Sequence, residues 1–417
     1  MKKTLTYLVL LMAGLLFSLT ARAELVIRIT DGVNDGVPLM IVPFQGSDLA
    51  SIIEADLKRS GQFTLVPHTK AGQALALGQP FQQDRLRASG ADYAVVGRQQ
   101  AADGLEFEII NVATGQRAAG FRIPPHPNRR RMAHKAADLI FERLTGLQGA
   151  FDTRIAYVAA SGPARRQTYR LLVSDADGYN PQTVMTSGKP VMSPSWSPDG
   201  MQLAYVSFET GQSGIYVQDL LTGGKRLVSM REGINGAPAW SPDGRYLAVS
   251  LSEGGNPDIY LIGVLDGSAT QLTRSPAIDT EPTWANTNSI IYTSDRDGQP
   301  QLYRTTIRGG DGYRLTNEGR YNAAASIVGN SVAMVRQMNG RFRIAVMNAS
   351  TRASTVVSKG DFDESPSLAP NGSMVLYATK LGGRGVLAVS SANGKARQIL
   401  SEQAGDVRDP SWSPFLD

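Results

Sequence analysis

A short motif that returns along the second half of this chain limits what it can fold into more than any other feature. Its best copies are Pro194-Ser195-Trp196-Ser197-Pro198-Asp199-Gly200 and Pro238-Ala239-Trp240-Ser241-Pro242-Asp243-Gly244. Weaker copies stand at Pro282-Thr283-Trp284, Pro366-Ser367-Leu368-Ala369-Pro370-Asn371-Gly372 and Pro410-Ser411-Trp412-Ser413-Pro414, with a degenerate one at Ala325-Ser326-Ile327. From Trp196 to Trp240, Trp240 to Trp284 and Leu368 to Trp412 the step is 44 residues. That period belongs to propeller blades rather than to helical repeats. After each anchor come short apolar runs such as Leu203-Ala204-Tyr205-Val206 and Ile215-Tyr216-Val217, bounded by Gly and Pro turns. These read as strands, four to a blade.

The ends of the repeat region are incomplete in complementary ways. Arg154-Ile155-Ala156-Tyr157-Val158 matches the strand that follows an anchor but has no anchor before it, whereas Trp412 is an anchor with no strands after it. Together they complete one blade and remove the free sheet edge that an open array would expose. Six anchors predict six blades. The Trp residues are expected to pack between blades, and Asp-Gly to supply the positive backbone dihedrals of tight turns.

The first 23 residues read as a cleaved signal peptide: Lys2 and Lys3, an apolar stretch too short to span a bilayer, then Ala21-Arg22-Ala23, which makes Glu24 the first mature residue. The expected location is the periplasm, with no insertion into the membrane. The formal charge of +5 loses three basic residues with that peptide, so the mature chain is nearly balanced and nothing in it calls for nucleic acid. With no cysteine, stability must come from burial.

Residues 24–150 lack the repeat and read as a smaller α/β domain. Strands are expected at Pro38–Val42, Phe63–Val66 and Tyr93–Val96, and a hairpin over 106–123. Helices are expected from a cap at Ser47 to Gly61, over Gln82–Ala88 and over Arg130–Leu144, and 146–150 reads as a linker to the propeller at 151–417. The run Arg129-Arg130-Arg131 reads as a solvated helix face. Leu25-Val26-Ile27-Arg28-Ile29 alternates like an edge strand, able either to dock on its own domain or to be offered to another sheet.

Catalytic signatures are scarce. The three histidines, His68, His126 and His134, all precede the repeats, so no Ser-His-Asp triad can be carried by the propeller, and no GxSxG, HExxH or GxxxxGK[ST] motif occurs. Asp175-Ala176-Asp177-Gly178 and Asp295-Arg296-Asp297-Gly298 lack the length and the later carboxylate of an EF-hand loop and read as hairpin turns. No cofactor, no metal and no enzymatic activity are expected. The segments before each anchor Pro, including Gly233–Ala237, Asp279–Glu281, Tyr321–Ala323, Asp363–Ser365 and Val407–Asp409, are more varied and polar than the anchors. In a propeller such loops open on one face around the central channel and form a ring of binding groups. A periplasmic hydrolase or a glycan-binding sensor with its site in the channel is the alternative to a protein-binding adaptor.

The signal sequence, Asp31-Gly32-Val33 leading to Pro43-Phe44, the junction from Leu144-Thr145-Gly146 to Gly149-Ala150-Phe151, and the runs Asn235-Gly236-Ala237-Pro238, Thr280-Glu281-Pro282-Thr283-Trp284 and Ser365-Pro366-Ser367-Leu368 together resemble the TolB family, periplasmic components of the Tol-Pal system. The resemblance runs along the whole chain in order. It implies a monomeric, non-catalytic adaptor that binds the lipoprotein Pal at the channel mouth and the C-terminal domain of TolA through its mature N-terminus, supporting outer-membrane integrity and constriction at cell division. In some members colicins use the same face. Carried over by motif, the Pal-binding residues are Asn235, Ala237, Thr280 and Glu281, with Asp363, Glu364 and Ser365 at the rim. The TolA-binding segment is Glu24, Leu25, Val26, Ile27, Arg28, Ile29, Asp31 and Asp35. Ile234 and the loop Arg320–Ala324 depart from the family pattern.

Overall fold

The computed structural model describes residues 36–100, 104–253, 255–310, 312–400 and 405–416. The expected signal peptide and the segment Glu24 to Asp35 lie outside the described residues. Among the described residues no helix is long and apolar enough to cross a membrane.

The first domain is one five-stranded sheet with helices on both faces. Its strands are β1 (Val37–Ile41), β2 (Phe63–Leu65), β3 (Tyr93–Gln100), β4 (Gly104–Asn111) and β5 (Arg117–Ile123), and its helices are α1 (Leu49–Arg59), α2 (Gln83–Ala88) and α3 (Arg129–Thr145). The sheet order is β2-β1-β3-β4-β5, parallel across the first three strands and antiparallel beyond. Alternation along β1 assigns the faces: Leu39 and Ile41 meet α1 and α3, whereas Met40 lies in the smaller core with Leu86 of α2. The Ser47 hydroxyl accepts the Leu49 N–H at 3.1 Å, satisfying one free donor at the start of α1. Gly61, at φ +66°, ends that region where blade 5 comes so close that a Cβ would meet Ser391 Oγ at 2.5 Å.

The propeller has six blades of four antiparallel strands. Blades 1 to 5 span residues 191–229, 235–271, 279–314, 322–356 and 364–399. Blade 6 takes its innermost strand from Asp406–Trp412 and the other three from Arg154–Ser161, Thr168–Asp175 and Gln182–Ser187, pairing Asp406 with Ala160 and Trp412 with Ile155. The ring is thus closed by joining its two ends, as the split anchor predicts. Three of the four indoles lock a seam: Trp196, Trp240 and Trp284 donate their Nε1–H to the carbonyls of Ser411, Ser195 and Ala239 in the preceding blade, at 3.0–3.2 Å. In the Ser-Pro-Asp-Gly turns only the glycine takes positive φ (Gly200 +69°, Gly244 +71°). Asp199 and Asp243 serve as acceptors instead, for the Ser197 and Ser241 hydroxyls and for the Met201 and Arg245 N–H groups. These bonds hold the Asp243 carboxyl down at about 2.

Two sequence readings change at the joint between the domains. Residues 146–150 are a packed junction rather than a free linker. Ala150 and Phe151 are buried in a core that runs from β1 and α3 into blades 5 and 6, and Phe141 meets Phe151 edge-on at 5.7 Å. The basic run is not a uniformly solvated face. Arg129 is half exposed, but Arg130 pairs with Asp177 of the blade 6 turn and lies over the Tyr179 ring, and Arg131 pairs with Asp152 at 3.0 Å. The turn Asp175–Gly178 is therefore a docking element as well as a hairpin.

Candidate functional site

Counting back from each anchor gives the six blades a common register at the channel mouth. Six residues before the anchor stand Ile234, Ile278, Tyr321 and Phe362 in blades 2 to 5. Ile234, Ile278 and Phe362 are about half exposed, and Tyr321, Phe342 and Phe362 form an aromatic group with centroids 5.3 and 6.3 Å apart. Exposed apolar groups in sequence around a mouth are a feature of binding surfaces.

Five residues before the anchor stand Val191, Asn235, Asp279, Asn322, Asp363 and Val407, all buried. Here the polar side chains tie the loop together. Asn235 Oδ1 accepts the Ser229 hydroxyl and the Arg231 N–H, both at 2.9 Å. Asp363 Oδ2 accepts the Ser358 hydroxyl and the Gly360 N–H, and Asp279 pairs with Arg296 at 3.0 Å. Asn235 and Asp363 therefore shape the rim from within and present no surface of their own to a partner.

Three residues before the anchor, all six blades hold a non-glycine residue in the left-handed region: Ser193, Ala237, Glu281, Ala324, Ser365 and Asp409, with φ between +47° and +53°. At each of them the pairing of the innermost strand with its neighbour slips, so each is part of a β-bulge. The bulge also explains how a proline can follow in five of the six innermost strands: the residue there makes no ladder bond, so its missing N–H costs nothing. Left-handed backbone costs a non-glycine residue roughly 1–2 kcal/mol. Six repeats of it in one ring are strain held by the surrounding blades.

The bulge residues link blade to blade. Glu281 Oε2 accepts the Ala324 N–H and the Thr293 hydroxyl, each at 2.9 Å. Asp409 accepts the Ser193 N–H at 3.3 Å and the Ser365 hydroxyl at 3.4 Å. Thr280 Oγ1 lies 3.2 Å from Ser250 Oγ, which also accepts the Glu281 N–H. Blades 3 and 6 are opposite in the ring, so Glu281 and Asp409 face each other across the channel. Burial raises both carboxyls above the ordinary range against the donors that lower them, and Asp409 raises Glu281 further. Glu364, exposed at the mouth, is raised by partial burial and by Asp409, while Lys380 and Arg408 lower it. The mouth thus combines an apolar rim with an acidic interior.

The structure brings Ala237, Thr280, Glu281, Glu364 and Ser365 to this mouth. Sequence reasoning missed Ser193 and Ala324, which hold the same bulge position as Ala237 and Glu281. Counting three residues back from every anchor would have found them. A metal reading has one candidate among the described residues, His134 with Asp175 and Asp177, whose ligand atoms lie within 4.8 Å of one another. Arg130 already occupies Asp177, however, so a cation is built into that cluster.

An α/β domain docked on a six-bladed ring that closes through its C-terminal strand, with a repeated polar mouth, defines a class of two-domain propeller proteins. The profile of the TolB beta propeller domain matches residues 141–416, and that of the TolB amino-terminal domain matches residues 25–118. Proteins called Tol-Pal system protein TolB from Xanthomonas campestris pv. campestris (strain B100) and Xanthomonas oryzae pv. oryzae (strain PXO99A) are each 48% identical over 436 aligned positions, covering 100% of this chain and 99% of their own. The crystal structure of TolB from Acinetobacter baumannii superposes with a TM-score of 0.85 at 36% identity, covering 92% of this chain and 98% of that one. A nidogen/laminin complex, at 9% identity and a TM-score of 0.51 over 63% of this chain and 98% of that one, shares the fold alone. The chain belongs to the TolB family.

Proposed function

We propose that this protein is a periplasmic component of the Tol-Pal system that works by binding other proteins rather than by catalysis. Pal engages the channel mouth, and the C-terminal domain of TolA engages residues 24–35. The observation that carries this reading is the mouth itself: a repeated ring of rigid bulges with half-exposed Ile234, Ile278 and Phe362 around acidic groups that are already satisfied within the protein. Such a surface suits a protein partner with an apolar anchor and hydrogen-bond donors. Glu281 and Asp409 are held by backbone amides and hydroxyls of neighbouring blades, as fixed groups of the mouth.

Asn235 and Asp363 act in this reading as positioning residues for the loops, while Ala237, Thr280, Glu281, Glu364 and Ser365 form the contact surface. Gly36 lines a cleft of about 800 Å³ between the first domain and blade 5, together with Lys58, Arg59, Lys395 and Arg397. Gly36, the first described residue after the proposed TolA-binding segment, thus lies beside the joint between the two domains.

Calorimetric titration with the soluble domain of Pal from the same organism tests the reading. A Phe362→Glu, Ile234→Glu variant, altered only at exposed positions, is expected to weaken binding more than tenfold, about 1.4 kcal/mol. Absence of any complex with the wild-type chain would reject Pal as the partner.

A further inference from the structure

The joint between the domains contains a buried charge cluster that partner binding at the mouth does not use. α1 contributes Asp56 and Arg59, α3 contributes Arg130 and His134, and the blade 6 turn contributes Asp175 and Asp177. The side chains of Asp56, Arg59 and His134 are only 1–2% exposed. His134 Nδ1 lies 2.6 Å from Asp56 Oδ2, and the other Asp56 oxygen accepts the Arg59 guanidinium at 2.7 Å. An ionised carboxylate can only accept, so the ring donates its Nδ1–H to Asp56.

That bond turns the opposite nitrogen toward the propeller. His134 Nε2 lies 3.8 Å from Asp177 Oδ2, is buried, and makes no hydrogen bond. Asp175 Oδ2 is likewise buried and makes none. If Nε2 carried only its lone pair, it would face two carboxylates and repel both. Carrying a proton, it attracts both. A divalent cation fits less well, because it would have to displace the Arg130 guanidinium that already pairs with Asp177.

We propose that His134 is a proton-operated latch between the two domains, its Nδ1–H holding α1 through Asp56 and its Nε2–H holding the blade 6 turn through Asp177 and Asp175. Arg131 with Asp152, Asp138 and Arg154 are the other charged groups that face this cluster. Burial lowers the His134 pKa, but Asp56 by charge and hydrogen bond, and Asp177 by charge, raise it further than burial and Arg59 lower it, so the net shift is upward. A histidine raised in the folded state contributes fully below its unfolded pKa, and the contribution disappears as pH rises through the folded one. Asp138, one turn further along α3, accepts the Phe151 and Asp152 N–H groups at 2.7 and 3.2 Å and is pushed up by burial to about 7. Its preference for the acid form points the same way. The joint tightens toward acid and loosens as pH rises through neutrality.

The chain has only three histidines, so nitrogen-15 labelling of histidine resolves each ring in the full mature protein. His134 is expected to carry protons on both nitrogens at pH 6 and to lose the Nε2 proton first. Because the chain has no cysteine, a label pair at Asp84→Cys and Leu221→Cys, both exposed, reports the distance between the domains. The distance distribution is expected to broaden as pH crosses the His134 midpoint. Asp56→Asn should lower that midpoint by at least one pH unit, and His134→Gln should broaden the distribution at every pH. If His134→Gln does not fold, the wild-type and Asp56→Asn titrations decide. A bare Nε2 at pH 6, or a distance distribution that does not change across the midpoint, overturns the latch.

Discussion

The channel mouth and the joint between the domains both bury charge, yet they are assembled in opposite ways. At the mouth one backbone device, the left-handed bulge, is repeated in six blades and carries Ser, Ala, Glu, Ala, Ser and Asp in turn. The repeat fixes where a group stands and leaves its identity open, so recognition can be written into a frame that does not change. At the joint nothing repeats. Asp56, His134 and Asp177 come from a helix, a second helix and a propeller turn, and each is needed as itself because its charge is balanced by the others. Substitution should therefore be cheap at the mouth and costly at the joint, with the closing seam of the ring costlier still.

The largest effect is expected at the closing seam. Trp412 is buried, donates its Nε1–H to Thr153 Oγ1 at 2.8 Å, and belongs to the strand that joins the chain ends. Trp412→Ala should destabilise by about 5 kcal/mol, the upper part of the range for buried aromatic truncations. Trp284, less buried in an internal seam, should lose about 3 kcal/mol. Denaturant unfolding of both variants checks the order. Equal losses would mean that closure adds nothing beyond a seam.

Next comes Asp56→Ala, which leaves Arg59 and His134 facing each other without their shared carboxylate. A loss of about 3–4 kcal/mol is expected, as for removing one member of a buried ion pair. Glu281→Gln at the mouth is the control. The amide oxygen of the substituted side chain can still accept the Ala324 N–H, and burial penalises the ionised form of Glu281, so less than about 1 kcal/mol should be lost. A large loss at Glu281 would break the contrast between the two regions.

The third prediction concerns pH. Asp138 is raised from 3.8 to about 7, mainly by burial. Between those values the folded state binds a proton that the unfolded state has released, so stability falls as pH rises and levels off above about 7. From pH 5 to pH 8 the loss from this group should be about 2–3 kcal/mol, at about 1.4 kcal/mol per unit. Asp138→Asn, which keeps an acceptor for the Phe151 N–H, should flatten that part of the profile in urea midpoints measured across the range.

How much of this was legible in the sequence follows the same division. The 44-residue step, the Pro-Asp-Gly turns and the complementary ends at Arg154 and Trp412 are local patterns, and they specify six blades and the closure between them. The rim loops were legible as a set because they recur at one place in the repeat. The bulges were not: Ala237, Glu281 and Ala324 are residue types that do not favour positive φ, and a following proline marks extended backbone in most settings. The ring geometry imposes that conformation against local preference. At the joint the signal was weaker again. His134 and Asp56 are 78 residues apart, and Arg130 looks like any solvated helix arginine until the blade 6 turn is brought against it.

The smallest expected effect tests what the strain at the mouth is for. Ala237 sits at φ +47°, where glycine meets no steric penalty. Ala237→Gly should relieve about 1 kcal/mol of strain and give part of it back through the greater freedom of the unfolded chain, so the net gain in stability should be under about 1 kcal/mol. Ala237→Val, which puts a β-branched side chain at that φ, should lose more than the glycine gains. If the bulges serve only to close the ring, the glycine variant should bind a mouth partner as the wild type does. If they hold the rim in the geometry that a partner needs, the same variant should be more stable and bind less tightly, because its loop must be ordered on binding. Denaturant unfolding and calorimetry on one pair of proteins separate the two, and a glycine variant both more stable and equally tight would remove recognition as the reason that six residues are kept in an unfavourable conformation.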